Sequence, residues 1–261
     1  MKKLLIFTTC LLLISTIKQP IMSKNLFSDI GINLGFNNFR LIGGTTAIQP
    51  MFVSPYDKSV YSVGGLNYIE PGVDLSTTLF LDDKNIHRII AGTEYTYMYP
   101  KEIATTRTNY SYYYCYHKVC FFDAYLGYHF SFYKAPFQNV RMFSGLEIMF
   151  NNIILNEFEF GTKAIKGVKP PEGWSGEERS NYEKKDPDFR VGSRIRAGFE
   201  GRIKPNVYIV ASGTLGIYNL LNRNDATGEL FSIQNKFDKK ESYQPFFNFL
   251  ISFQYRFNDV E

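Results

Sequence analysis

The final stretch of the chain alternates between bulky apolar residues and residues of other types. From Phe247 to Phe257 every second residue is Phe, Ile or Tyr, and polar residues such as Asn248, Gln254 and Arg256 stand between them. Successive side chains of a β-strand point to opposite faces, so this period of two predicts a strand with one aromatic face. So dense an aromatic face fits contact with lipid better than the edge strand of a soluble sandwich.

Seven earlier segments show the same alternation. They are residues 29–36, 72–81, 88–97, 122–132, 140–150, 190–202 and 207–217. In every segment the apolar phase contains no charged residue, and the acids and bases of these segments all fall on the opposite phase. A lysine or arginine at mid-membrane on a lipid-facing surface costs roughly 2–4 kcal/mol. The pattern therefore predicts a membrane barrel with apolar side chains outside and charged side chains in the lumen.

The N-terminus predicts export. Lys2 and Lys3 precede an apolar run from Leu4 to Ile17, which has the charge and length of a signal peptide and is too short to span a bilayer as a helix. We predict a signal peptide over residues 1–23, with its cleavage site left open, and a barrel domain over residues 24–261. A soluble barrel with the two faces reversed is the alternative, and the export signal argues against it.

Composition agrees with a membrane barrel. Aromatic residues make up 17% of the chain, with 24 Phe and 19 Tyr against a single Trp. Tyrosine at this frequency suits the aromatic girdles that membrane barrels place at the two interfaces. The formal net charge is only +4, so no basic field predicts a nucleic-acid partner.

The gaps between the segments alternate in length. The long ones are residues 38–66, 100–120, 151–188 and 219–243, and the others are short. Barrels of the outer membrane have short periplasmic turns and long external loops. We therefore predict an all-β fold, an eight-stranded antiparallel up-and-down transmembrane β-barrel with long extracellular loops. Ten strands are the alternative if a long loop hides a hairpin. The apolar phase of the fifth segment continues to Phe160, so that strand is expected to rise beyond the bilayer.

The last strand resembles the C-terminal end of bacterial outer-membrane β-barrels, where alternating apolar residues lead to a terminal Phe. In those families the barrel-assembly machinery reads this signal, which the resemblance assigns here to Phe253, Tyr255 and Phe257. Over nearly all of the mature chain the pattern is similar to the outer membrane protein beta-barrel families, of the OmpA, OmpX and PorT kind. The resemblance implies an integral protein of the bacterial outer membrane. Its implied partners are membrane lipid, lipopolysaccharide and the assembly machinery.

The inward-facing charges are the candidate functional site. An eight-stranded barrel is just wide enough for its side chains to fill it, and a buried charge left unpaired costs several kcal/mol. We therefore predict a salt-bridge network that plugs the lumen, similar to the closed lumen of outer membrane protein A. A narrow ion path along the same residues is the alternative. The predicted lumen network consists of Asp74, Glu94, Glu147, Arg194, Arg196 and Glu200.

Cys115 and Cys120 lie in the second long gap, within a stretch rich in tyrosine. Two cysteines in an exported loop predict a disulfide, with free thiols as one alternative. The other alternative is a metal site formed by His117 and the two cysteines. These are only three ligands, whereas a structural zinc site needs four. We expect neither a metal nor another cofactor. The tyrosines predict either an extension of the aromatic girdle or a contact surface for a protein or glycan.

These features predict a non-enzymatic structural or interaction protein that acts through its extracellular loops. The alternative is a narrow channel for ions or small solutes. A lipid-modifying enzyme is the further alternative, because some small barrels carry catalytic histidines near the outer rim. Only His117 falls in a long outer gap, where tyrosines and cysteines surround it.

Overall fold

The computed structural model describes residues 27–42, 61–63, 70–99, 101–105, 111–135, 139–169, 172, 179–223 and 243–258. The predicted signal peptide at residues 1–23 lies outside this part of the chain. No helix long and apolar enough to cross a membrane occurs among the described residues. The strands are β1 (Asp29–Leu41), β2 (Tyr61–Val63), β3 (Glu70–Phe80), β4 (His87–Met98), β5 (Lys101–Thr105), β6 (Ser111–Lys134), β7 (Val140–Ala164), β8 (Arg179–Lys184), β9 (Asp188–Lys204), β10 (Val207–Leu221) and β11 (Pro245–Arg256).

Eight of these strands close into a barrel. The order around the wall is β1, β3, β4, β6, β7, β9, β10 and β11, and every neighbouring pair is antiparallel. The last strand returns to the first, where Gly31 pairs with Arg256 and Leu41 pairs with Phe246. The predicted eight-stranded, up-and-down antiparallel barrel is therefore confirmed. Within the described ranges no additional hairpin enters the barrel wall.

The two faces of the wall carry opposite chemistry. Large apolar side chains cover the outside, among them Phe36, which is 68% exposed, and Leu146, which is 67% exposed. The inward phase carries the charged residues, and Arg194 and Arg256 are almost completely buried there. An apolar exterior around a polar interior is the arrangement that a lipid environment requires. The predicted assignment of the two phases is confirmed.

Short turns connect the strands at one end of the barrel. In the β3–β4 turn the Asp82 carboxylate accepts hydrogen bonds from the backbone N–H groups of Ile86, at 3.0 Å, and His87, at 2.6 Å. In the β9–β10 turn Asn206 has a φ of 65° and donates its amide to the Arg256 carbonyl oxygen at 2.8 Å. We place this end in the periplasm, because barrels of this kind have short periplasmic turns.

Part of the wall continues beyond the barrel at the other end. We call this extension the outer wall, and it consists of β2, β5, β8 and the outer parts of β6 (111–118) and β7 (157–164). Strand β5 continues the line of β4 along β6, and β8 continues the line of β9 along β7. Much of the stretch predicted as the second and third loops is thus paired strand. The expected rise of β7 is confirmed, since Phe160 pairs with Cys115.

The structure contradicts the predicted disulfide between Cys115 and Cys120. Both residues lie in the single continuous strand β6, and Cys120 is a buried free cysteine. A strand rises about 3.3 Å per residue, so five residues separate the two Cα atoms by roughly 16 Å. A disulfide requires Cα atoms about 4.4–6.8 Å apart. The prediction failed because this stretch was interpreted as a loop tip, whereas β5 and β7 hold it extended. The Cys115 side chain lies outside the described part of the structure.

Candidate functional site in the barrel lumen

Two arginines and two glutamates form a cluster in the middle of the lumen. Arg194 bonds Glu147 through Nε, and its Nη1 donates to Glu94 Oε2 at 2.8 Å. Arg196 places its Nε 2.7 Å from Glu147 Oε1, and its Nη2 lies 3.4 Å from Glu94 Oε1. Glu147 and Arg194 are direct neighbours across the β7–β9 pair, while Glu94 reaches them from β4 on another part of the wall. This central cluster therefore ties separate parts of the barrel together.

Neutral and aromatic side chains complete the central cluster. His129 Nε2 lies 2.8 Å from Glu147 Oε1, which adds a third partner to that carboxylate. The guanidinium carbons of Arg194 and Arg196 lie 4.4 and 5.1 Å from the centre of the Tyr125 ring. The Tyr125 hydroxyl donates to Asp74 Oδ2 at 2.7 Å. Asp74 thus joins the cluster through Tyr125.

A second cluster lies nearer the periplasmic end. Arg88 and Arg256 both bond the Glu200 carboxylate, the latter through Nη2 at 2.7 Å. The guanidinium carbon of Arg256 lies 3.8 Å from the Tyr208 ring centre, and that of Arg88 lies 4.0 Å from the Phe143 ring centre. This lower cluster therefore holds two cations and one carboxylate between aromatic faces.

The outer third of the lumen is rich in aromatic and aliphatic side chains. Phe39 packs against Phe246 and Phe121 with ring centres 5.1 and 5.5 Å apart. Tyr218 contacts the same rings, and its hydroxyl donates to Asp123 Oδ1 at 2.9 Å below them. Further members of this upper layer are Leu41, Met98, Val119, Met149 and Ile153. An ion that crosses this layer would lose much of its hydration against aromatic and aliphatic side chains.

The free space left in the lumen is small. A cavity of about 20 Å³ lies between the central and lower clusters, lined by Arg88, His129 and Arg196 together with hydroxyl and apolar groups. About 10–15 Å³ on the same scale is enough for one water molecule. The cavity therefore suits one water or one small ion, and it is too small for an organic ligand.

The structure places all six predicted network residues in the lumen, but in two groups. Asp74, Glu94, Glu147, Arg194 and Arg196 belong to the central cluster, and Glu200 belongs to the lower one. Sequence reasoning missed the participation of His129 and Tyr125 and the whole upper layer. The sequence did contain a pattern that indicates the upper layer, because Phe39 and Leu41 continue the inward phase of the first segment.

The candidate catalytic histidine, His117, is buried and inaccessible to a substrate. His117 is buried on the outer wall, its ring stacks on Phe158 at 3.9 Å, and its Nε2 lies 2.7 Å from Asn156 Oδ1. Burial lowers the pKa of His117 to about 3, with a further contribution from the charge of Lys185, although the contact with Asn156 acts in the opposite direction. His117 is therefore neutral at physiological pH. In the part of the chain that the structure describes, no group of three or more His, Cys, Asp and Glu residues is arranged to hold a metal ion.

Comparison with known proteins gives matches in structure only. No protein-family model matches the chain, and no curated protein matches its sequence. Ail, the attachment invasion locus protein of Yersinia pestis, is 12% identical with a TM-score of 0.39, over 88% of this chain and 98% of that one. OprG of Pseudomonas aeruginosa is 10% identical with a TM-score of 0.43, over 89% and 97%. Neisserial surface protein A is 9% identical with a TM-score of 0.42, over 88% and 96%.

At these scores the assignment of the fold rests on the chain's own strand register and surface. A closed register of eight strands, a charged lumen and an apolar exterior define a small integral β-barrel of the bacterial outer membrane. The exterior side chains of the barrel contact membrane lipid directly.

Proposed function

We propose that the protein is a non-enzymatic, non-conducting outer-membrane barrel that displays the outer wall as a contact surface. The observation that carries this proposal is the filling of the lumen in two different ways, by ion pairs in the centre and by aromatic rings above them. Arg194 and Glu147 belong to the first, and Phe39 and Phe246 belong to the second. A solute would have to pass first the aromatic upper layer and then the ion pairs of the central cluster, and together these leave no open path.

The outer wall supplies the surface for contact. Its lipid-side face continues directly from the apolar exterior and carries tyrosines and lysines, with two glutamates of β7 among them. Lys163 Nζ lies 4.3 Å from the ring centre of Tyr114, which is itself buried, and Lys118 Nζ lies 5.6 Å from the Tyr99 ring centre. Tyr182 on β8 is 62% exposed. Tyrosine provides a large contact area at a low cost in side-chain entropy, and lysine supplies attraction for anionic groups. This combination supports an anionic glycan as the partner.

Planar-bilayer recording of the refolded full chain tests the closed lumen. The expected result is the absence of stable conductance steps at moderate voltage. A stable conductance that disappears when Arg194 or Glu94 is neutralised would contradict the proposal and favour the narrow channel.

Binding of a sulfated oligosaccharide to the protein in lipid nanodiscs tests the contact surface. The double substitution Lys118→Gln with Lys163→Gln is expected to weaken binding about 5–30-fold, since each lost surface attraction is worth about 0.5–1 kcal/mol. Lys204→Gln, at the periplasmic end of β9, is the matched control because it removes a charge far from the outer wall. Failure of the parent protein to bind would remove the anionic glycan as partner.

A further inference from the structure

The cavity between the central and lower clusters has an unusual lining. Two arginines and a histidine contribute to it, Arg88, Arg196 and His129, together with hydroxyl groups such as those of Thr78 and Ser252. Among the described residues that line it there is no Asp or Glu. The carboxylates that pair with these arginines, Glu200, Glu94 and Glu147, do not line the space. The lining therefore combines positive charge and a few hydrogen-bond donors with apolar side chains such as those of Phe143 and Leu250.

Arg88 has donor capacity that the protein does not use. Its Nη1 bonds Glu200, but its Nε has no hydrogen-bond partner among the described residues, and Arg88 is only 3% exposed. A buried donor left unsatisfied destabilises the folded protein, and a charged donor does so more strongly. An acceptor in the adjoining cavity would remove this cost.

The lower cluster also carries an excess of positive charge. Arg88 and Arg256 share the one carboxylate of Glu200, and all three side chains are buried. In the central cluster Arg194 and Arg196 pair with Glu94 and Glu147, and Asp74 adds a third carboxylate through Tyr125. The positive excess is therefore concentrated on the side of the cavity where Arg88 lies. A water molecule in the cavity would supply an acceptor but no compensating charge.

We propose that this cavity binds one small monovalent anion of the halide class, such as chloride. The anion accepts hydrogen bonds from Arg88 and from the hydroxyl groups of the lining, and it offsets the excess charge of the lower cluster. Its charge also attracts Arg196 from the central cluster, so that it links the two clusters across the cavity. Bound halide is then part of the lumen packing, and the stability of the barrel depends on the type of anion in solution.

Crystals of the refolded full chain grown in sodium bromide provide the direct test. The expected result is an anomalous bromide peak in the cavity between Arg88 and Arg196. Urea unfolding is compared in parallel in sodium chloride and in sodium gluconate at equal ionic strength, because gluconate is too large for a cavity of about 20 Å³. The expected midpoint is higher in chloride, and the difference saturates as the chloride concentration rises.

Two variants distinguish the cavity from general salt effects. Ser252→Val fills the cavity without changing any charge, and it is expected to abolish both the bromide peak and the difference between the two salts. Ser212→Val is the matched control, because Ser212 is a buried lumen serine on β10 that does not line the cavity. This control is expected to keep the peak and the salt dependence.

Three results would overturn the anion site. The first is ordered water alone in the cavity of crystals grown in bromide. The second is an equal unfolding midpoint in chloride and gluconate, and the third is a salt dependence that persists unchanged in Ser252→Val. Arg88→Gln is also expected to lose the bromide peak, but Ser252→Val carries the test if that variant does not refold.

Discussion

Gly145 lies opposite His129 in the β6–β7 pair, and a Cβ atom at position 145 would lie 2.1 Å from His129 Cδ2. Two residues further along each strand the roles are exchanged, because Gly127 faces Glu147 and a Cβ at position 127 would lie 2.5 Å from Glu147 Cγ. His129 and Glu147 thus each lie over a glycine of the neighbouring strand. The narrow barrel accommodates the central cluster only because these positions lack a side chain.

Gly145→Ala is therefore expected to destabilise the barrel by about 1–3 kcal/mol, the usual cost of overpacking a filled interior. The His129 ring cannot retreat without giving up its contact with Glu147, and the backbone oxygen of Tyr128 lies only 2.3 Å from the same Cβ position. Urea unfolding of the refolded protein measures the change. Gly213→Ala is the matched control, because its Cβ would meet nothing closer than 3.7 Å. An equal loss of stability in the two variants would contradict the argument.

Glu147→Gln is expected to destabilise the protein by about 3–5 kcal/mol, because it removes one of the two carboxylates that pair directly with Arg194 and Arg196. The double variant Glu147→Gln with Arg194→Gln restores the balance of charge. Its destabilisation is therefore expected to be smaller than the sum of the two single effects by about 1–3 kcal/mol. Urea unfolding of the four proteins of this cycle gives the coupling, and simple additivity would show that the cluster is not an energetic unit.

The eight barrel strands follow from the period of two, since each strand has one face in lipid. The sixth segment, predicted over residues 190–202, is observed as β9 (Asp188–Lys204). The upper layer could not be predicted from the period of two. Apolar residues such as Phe39 and Phe121 occupy the inward phase there, so the alternation between apolar and polar residues disappears near the outer end of a strand. The pattern there was interpreted as a loop, and the misassigned disulfide is a consequence of that interpretation.

The division of the lumen charges into two clusters also could not be predicted from the sequence pattern. Alternation predicts that Glu94, Glu147 and Arg194 point inward, but their heights depend on the stagger between strands. Glu147 meets Arg194 because β7 and β9 are paired in that register, and Glu94 joins them from a strand that is not their neighbour. Such contacts depend on pairing between distant parts of the chain, which the local pattern does not encode.

Phe39→Ala together with Phe246→Ala is expected to lower stability by several kcal/mol, since truncation of one buried Phe costs about 3–5 kcal/mol. The variant is nevertheless expected to remain non-conducting in planar bilayers, because the ion pairs of Arg194 and Arg196 still fill the lumen below. Phe36→Ala on the lipid-facing side is the control for loss of an aromatic ring outside the lumen. Stable conductance in the double variant alone would show that the upper layer is the principal seal.

Phe257→Ala is expected to reduce the amount of assembled protein in the outer membrane of cells several-fold and to leave refolding into detergent micelles unchanged. Phe257 is 53% exposed at the periplasmic end of the last strand, and its ring meets Tyr255 edge-on at 5.3 Å. It therefore contributes little to packing inside the barrel and is accessible to the assembly machinery. Phe132→Ala is the matched control, since Phe132 is 55% exposed near the same end of β6. Equal assembly of the two variants would contradict the predicted signal.

The outer wall is expected to become less stable as the pH decreases, because of His117. Burial holds the pKa of His117 near 3 in the folded protein, against an ordinary value near 6.5 in the unfolded chain. Below pH 6.5 the unfolded chain therefore binds more protons than the folded one, and stability is lost progressively as the pH falls from about 6.5 towards 3. The slope is about 1.4 kcal/mol per pH unit for one such group.

His117→Gln removes the titrating ring but retains a polar side chain next to Asn156, so the variant is expected to lose this pH dependence. Hydrogen-exchange mass spectrometry of peptides from residues 111–118 and 157–164, at pH 7 and pH 4.5 and corrected for intrinsic exchange, measures the local stability. His87→Gln is the control, because His87 is exposed at the opposite end of the barrel. If acid weakened the protection of the outer wall equally in the parent and in His117→Gln, the buried His117 would not be its cause.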